Sequence, residues 1–115
     1  MHIDGQAPGS SSHYSIARVG VATCDTVDGD YLYVRSFRPL NCESRDIGQF
    51  VDDDGTPYLI FEDRPAKGFH IASLSEDDLD VVHDLALIRD PLEGGALAHY
   101  DGLYYVCLLY TSRCV

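Results

Sequence analysis

The segment Asp54-Gly55-Thr56-Pro57-Tyr58-Leu59 recurs as Asp101-Gly102-Leu103-Tyr104-Tyr105-Val106, 47 residues further on. An acid precedes each copy at the same distance. Asp46 lies eight residues before Asp54, and Glu93 lies eight residues before Asp101. A period of ~40–50 residues filled with short strands is the mark of a β-propeller. Neighbouring blades of a propeller present equivalent positions to a common central channel. The spacing therefore predicts that Asp46 and Glu93 converge there. Two carboxylates facing one another across a cleft are what glycoside hydrolysis requires.

The chain has 115 residues, room for about two blades of ~40–50 residues. A closed propeller needs at least ~four. The expectation is an all-β fold, a partial propeller of about two blades of antiparallel strands, with an open sandwich as the alternative. A net charge of −11 argues against nucleic acid, whose phosphates would be repelled. The acids are spread along the chain, as in Asp52 to Asp54 and Glu76 to Asp80, and read as solvated surface. No stretch approaches ~18 apolar residues, so no membrane span is expected. No basic segment followed by an apolar core opens the chain, so no signal peptide is visible and localisation is open, a secreted or periplasmic parent included. Cys24, Cys42, Cys107 and Cys114 show neither C-x-x-C spacing nor a disulfide framework, and the five histidines give no metal spacing. No metal or cofactor is expected. His2, near a strand end, is the one histidine marked for attention.

Along the chain, Gly5 to Ser12 reads as a flexible loop. Strands are expected at Ile16 to Thr23, Tyr31 to Phe37, Ile47 to Val51, Tyr58 to Glu62, Gly68 to Leu74 and Val81 to Ile88, the last an outer strand. Leu97 to Val106 is expected to be a hairpin turning at Asp101-Gly102. No amphipathic helix is visible.

Several residues could carry chemistry. Asp46 sits in Glu43-Ser44-Arg45-Asp46, where Arg45 could hold a carboxylate ionised or bind a sugar hydroxyl; an exposed loop ion pair is the alternative. Glu93 precedes Gly94-Gly95, which suits a close backbone approach to a ligand or a plain turn. Asp52-Asp53-Asp54-Gly55 suggests a calcium loop but lacks the alternating ligand spacing and distal glutamate, so a hairpin turn is expected. Asp63, in Glu62-Asp63-Arg64, could face the channel or form a surface ion pair. Tyr58, Tyr104 and Tyr105 could stack on a sugar, with hairpin packing the simpler expectation.

In these motifs the chain resembles glycoside hydrolase family 43, and within it the branch of exo-acting β-1,3-galactanases. The resemblance is carried by Asp46-Ile47-Gly48-Gln49-Phe50 followed by the hairpin Asp52 to Leu59, and by the runs Glu43 to Asp46 and Glu62 to Arg64. It extends to Ala17 to Thr23, Val34 to Leu40, Glu93 to Leu97 and Asp101 to Tyr105. It implies a five-bladed propeller and inverting hydrolysis of plant-type β-1,3-galactan or arabinogalactan side chains. Glu93 would be the general acid. Asp46 would raise the pKa of that acid and orient it, and Glu43, Arg45 and Asp63 would bind substrate. An oligo- or polysaccharide is the implied partner. The family's usual base, an aspartate on another blade, has no match here. Where the family has Ala-Pro or Gly-Pro after the acid, this chain has Gly94-Gly95. Alternatives are an arabinofuranosidase or β-xylosidase of the same family, or a non-catalytic carbohydrate-binding propeller.

The resemblance covers residues 1–106. Met1 reads as a methionine internal to a blade strand. Residues 107–115 read as a non-native tail, since Cys107 to Val115 back-translates to a transposon mosaic-end adapter followed by its inverse. On this reading the 115-residue chain is inactive by itself and marginally stable, because open sheet edges lack their partners.

Overall fold

The computed structural model describes residues 1–109. The expected tail therefore lies outside the described residues from position 110 onward. Nine strands form among the described residues: β1 (His2–Ile3), β2 (Arg18–Thr23), β3 (Leu32–Phe37), β4 (Ile47–Val51), β5 (Pro57–Asp63), β6 (Gly68–Leu74), β7 (Val81–Ile88), β8 (Glu93–Tyr100) and β9 (Leu103–Leu109). Among the described residues the only helical piece is one 3-10 turn at Pro39–Asn41. All strand pairs are antiparallel, in three sheets ordered β1-β2-β3, β4-β5-β6-β7 and β8-β9. This is one complete four-stranded blade flanked by parts of two others, a partial β-propeller. The radius of gyration, 15.1 Å, exceeds the ~13 Å of a compact domain of this length, as sheets standing side by side require.

The second sheet is the centre of the molecule. Its middle strands have apolar residues on both faces, and alternation along β5 divides them. Leu59 and Phe61 point one way and join Val19 and Ala72 in the core, with Phe37, Leu40, Cys42, Ile47, Leu74 and Val81 around them. Ile60 points the other way, toward the third sheet, with Phe69 beside it against Gly95. Ile60, Phe61 and Phe69 are fully buried. Burying three such side chains contributes roughly 1.5–3 kcal/mol each.

The expected strand at Ile16 begins at Arg18 instead. The amides of Ile16 and Ala17 are taken by the Asp4 carboxylate, at 3.2 Å each, so they are not free for a strand ladder. Tyr31 likewise falls outside β3 and bonds the Val27 carbonyl at 3.2 Å. The turns follow their sequences. At Asp101-Gly102 both residues have positive φ, 51° and 72°, the two-residue hairpin geometry for which Asp-Gly is suited. The Asp52 to Thr56 segment is a hairpin turn, closed by bonds from Gly55 to Asp52 (2.9 Å) and from Asp52 to Thr56 (3.0 Å). Residues 107–109 continue β9, with Cys107 opposite Ala96 and Leu109 opposite Glu93.

Candidate active site

The two acids of the repeat are brought together by a close approach of backbones. Strand β4 lies against β8 because neither has a side chain at the crossing: a Cβ built on Gly48 would stand 2.5 Å from the Gly95 carbonyl oxygen. Gly95 itself lies on the Phe69 ring, where a Cβ would come within 2.7 Å of Cδ1. Asp46 then reaches across. Its Oδ2 accepts a hydrogen bond from the Gly94 N–H at 2.9 Å, one residue beyond Glu93. Gly94 has φ of 63° beside a break in register between Glu93 and Ala96, a conformation that glycine adopts without a Cβ penalty. The two glycines therefore serve contact between blades. The carboxylate of Asp46 thereby holds the backbone one residue beyond Glu93.

Around Glu93 lies a cavity of about 300 Å³ lined by Glu62, Arg64, Lys67, Gly68, Asp90, Pro91, Leu92 and Glu93. Arg64 is its organiser. Its Nε donates to Glu62 Oε1 at 2.9 Å, and its Nη2 stands 3.9 Å from Glu93 Oε1. The Glu62 carboxylate first, and then Glu93 and Asp46, hold the guanidinium more firmly protonated than usual, against a smaller opposing push from burial. The second oxygen of Glu62 is buried and has no protein partner. Glu93 is 54% exposed, open to a ligand entering the cavity. A larger cavity, about 650 Å³, lies between the first and second sheets, bounded largely by Val19, Val21, Phe37, Ile47, Leu59 and Leu74. Thr23, Gln49, Asp77 and Asp78 line it as well, and Glu93 does not, so the acid of the second repeat opens into the smaller cavity.

Arg45 is not paired with Asp46, nor is it an exposed loop residue. It is 11% exposed, and donates from Nη1 to Asp4 Oδ2 (2.7 Å) and from Nη2 to the Tyr14 carbonyl (2.6 Å) and Glu43 Oε2 (3.2 Å). Asp4, directly after β1, is the hub of this network. Burial pushes its carboxyl up, but the amides of Gly5 and Ala17, then Arg45 and His2, hold it below its usual range. His2 stands 3.5 Å from Asp4 and joins nothing else here.

Asp63 departs from expectation. Alternation on β5 places it with Leu59 and Phe61, facing away from the Glu93 cavity, while its neighbours Glu62 and Arg64 line that cavity. Asp63 is buried, and its carboxylate stands 3.5 Å from Nε2 of His70, whose ring stacks on Phe61 at 5.0 Å. The triplet marked the site, but the neighbours of Asp63 form it. The sequence could not show this, because β5 is apolar on both faces and its parity was undetermined. Tyr58 and Tyr104 pack within and between the hairpins: Phe50 lies 6.2 Å from Tyr58 in its own hairpin and 6.5 Å from Tyr104 in the next, and His99 stacks on Tyr104 at 4.4 Å.

No family model and no curated protein matches the chain. Solved structures do. An exo-β-1,3-galactanase from Phanerochaete chrysosporium, solved with β-1,3-galactotriose, is 33% identical with a TM-score of 0.84 over 97% of this chain. An exo-β-1,3-galactanase from Clostridium thermocellum is 29% identical with a TM-score of 0.80 over 87%. A GH43 β-1,3-galactosidase is 34% identical with a TM-score of 0.76 over 83%. The chain is similar in sequence and fold to a segment of these proteins, among them a family 43 glycoside hydrolase. It spans 26%, 24% and 21% of the lengths of those three proteins.

Proposed function

We propose that this chain is part of an inverting family 43 glycosidase that cleaves β-1,3-linked galactan, with Glu93 as the general acid. The observation that carries the reading is the 2.9 Å bond from the Gly94 amide to Asp46. It ties Asp46 to the backbone one residue beyond Glu93, which itself lines the cavity with Glu62 and Arg64. The likeness to proteins described as exo-β-1,3-galactanases, one of them solved with β-1,3-galactotriose, supports galactan over arabinan or xylan.

In this reading the protonated Glu93 donates to the leaving glycosidic oxygen while water attacks the opposite face of the sugar. Asp46 is a positioning residue: it fixes the Gly94 amide and with it the start of β8. Glu62 and Arg64 present a free carboxylate oxygen and guanidinium N–H groups to sugar hydroxyls, a pairing suited to charge-assisted hydrogen bonds. Glu43 and Arg45 are joined to each other and to Asp4 outside the residues that line this cavity. No described residue is assigned as the base. The propeller segment of the proposal is residues 1–106.

The test is Glu93→Gln in the protein that carries this segment, assayed by galactose released from β-1,3-galactan. Loss of a general acid is expected to cost about 10²–10⁴-fold, with little loss on substrates bearing a good leaving group. Unchanged galactose release would overturn the assignment, and unchanged galactan binding without any hydrolysis by the wild type would favour a binding propeller.

A further inference from the structure

Between the first and second sheets, away from the Glu93 cavity, Cys42, Asp63 and His70 each offer one ligand atom, all within 4.8 Å of one another. The cluster is assembled by tertiary structure alone. Cys42 follows the 3-10 turn, Asp63 ends β5, and His70 lies on the same face of β6 as Asp63. Asp63 and His70 are both more than nine-tenths buried, at 5% and 6% exposure. Asp63 Oδ1 and His70 Nε2 have no hydrogen-bond partner. Buried polar atoms of this kind ordinarily find one. The other ring nitrogen, Nδ1, is engaged by both oxygens of Asp84 at 3.1 Å. That leaves Nε2 as the nitrogen turned toward Asp63 and Cys42.

We propose that Cys42, Asp63 and His70 form a zinc site that ties the segment after the first sheet to the second sheet. Three features select the metal and the arrangement. A mixed thiolate, imidazole and carboxylate set suits zinc, whereas calcium and magnesium take oxygen alone. Tetrahedral bonds of ~2.0–2.3 Å place ligand atoms about 3.3–3.8 Å apart, and His70 Nε2 already stands 3.5 Å from Asp63 Oδ2. Asp84 occupies the place of the outer carboxylate that commonly orients a metal-bound histidine through its other nitrogen. Asp84 is also 43% exposed, which gives a route in from solvent. On binding, Cys42 gives up its thiol proton to solvent and the thiolate ligates. Water takes the fourth position.

The consequence reaches the other face of β5. Asp63 is flanked by Glu62 and Arg64, so a metal holding Asp63 also fixes the strand end that presents those two to the Glu93 cavity.

The test uses the reduced 115-residue chain in a Cys24→Ser/Cys107→Ser/Cys114→Ser background, so that Cys42 is the remaining thiol. Titration with Co²⁺ is expected to give a near-ultraviolet thiolate-to-cobalt band saturating at one ion per chain and bleached by one equivalent of Zn²⁺. Cys42→Ser is expected to abolish the band, and Asp84→Asn to weaken Zn²⁺ binding about 10–100-fold. A merely structural role for Asp84 would not move the metal affinity. A chain that gives no band, or a band that survives Cys42→Ser, overturns the site. If the chain refolds poorly, Zn²⁺ is expected to raise the soluble yield of the parent background and not of Cys42→Ser; equal yields overturn the site as well.

Discussion

The second and third sheets use the same hairpin motif with opposite results. In the second sheet the motif sits beside two further strands, and Leu59, Ile60, Phe61 and Phe69 are buried. In the third, Leu103, Tyr104, Tyr105 and Leu109 are all exposed. The residue types barely differ. What differs is the number of neighbours: β5 and β6 are covered on both faces, while β8 and β9 form a two-stranded sheet with one supported face. An isolated hairpin is at best marginally stable in water. Yet this sheet carries Glu93. The acid is positioned by two contacts with the better-supported sheet, the Gly48–Gly95 backbone approach and the Asp46–Gly94 hydrogen bond.

The comparison can be broken from the side of the core. Phe69→Ala removes a fully buried ring that also floors Gly95, and is expected to cost about 3–5 kcal/mol, enough to unfold the chain in a chemical denaturation series. Val82→Ala, on the exposed outer strand β7 of the same sheet, should stay within about 0.5 kcal/mol. Equal effects would mean that the second sheet is not the stabilising unit. Next in size is Asp46→Ala. It leaves the Gly94 amide without its charged acceptor, a loss of about 1.5–3 kcal/mol. It should raise amide exchange at β8 and β9 more than at β5 and β6, read by hydrogen exchange. Uniform loss of protection would mean that the acid supports the whole chain rather than the third sheet. Gly48→Ala forces a methyl against the Gly95 carbonyl, an overpacking cost of about 1–3 kcal/mol. In the protein that carries this segment it should lower galactose release as β8 shifts. Unaltered activity would uncouple the crossing from the site.

The smallest effect concerns the other bridge between these sheets, where the Tyr104 hydroxyl donates to Asp52. Tyr104 first of all, then the Asp53 amide, holds the Asp52 carboxyl below its usual range. A group lowered on folding stabilises above its unfolded pKa, and that contribution is lost as pH falls through the folded value. Seen from the other end, the bond to Asp52 pushes Tyr104 up to about 12. Its contribution is complete below pH ~10 and is lost as pH rises toward about 12. Tyr104 is solvent-exposed, so screening keeps the effect small. Melting curves of wild type and Tyr104→Phe should differ between these limits and converge at both extremes. A constant offset across the range would sink the assignment.

Much of the architecture was legible in the chain. The Asp-Gly repeat, the β-branched and aromatic runs and the polar turns between them led to strands β4 to β7 nearly to the residue and to the turn of the last hairpin, whose strands run from Glu93 and to Leu109 rather than from Leu97 and to Val106. They do so because a turn such as Asp101-Gly102 is decided by local φ preference and a strand such as Gly68 to Leu74 by its own composition. Equal spacing marked Asp46 and Glu93 as corresponding positions, and the structure brings Asp46 to the amide of Gly94, next to Glu93. Other features had no local cause. The start of β2 at Arg18 depends on Asp4 claiming two amides across a loop. The true cavity residues, Glu62 and Arg64 rather than Asp63, depend on which face of β5 meets the third sheet. Arg45 answers to Asp4, 41 positions away. Cys42, Asp63 and His70 share no spacing that a sequence could reveal, because each comes from a different element. The sequence by itself determined where the strands and turns lie and which two acids correspond. Tertiary structure alone decided which side chains share a face, because a strand apolar on both sides carries no internal record of its orientation.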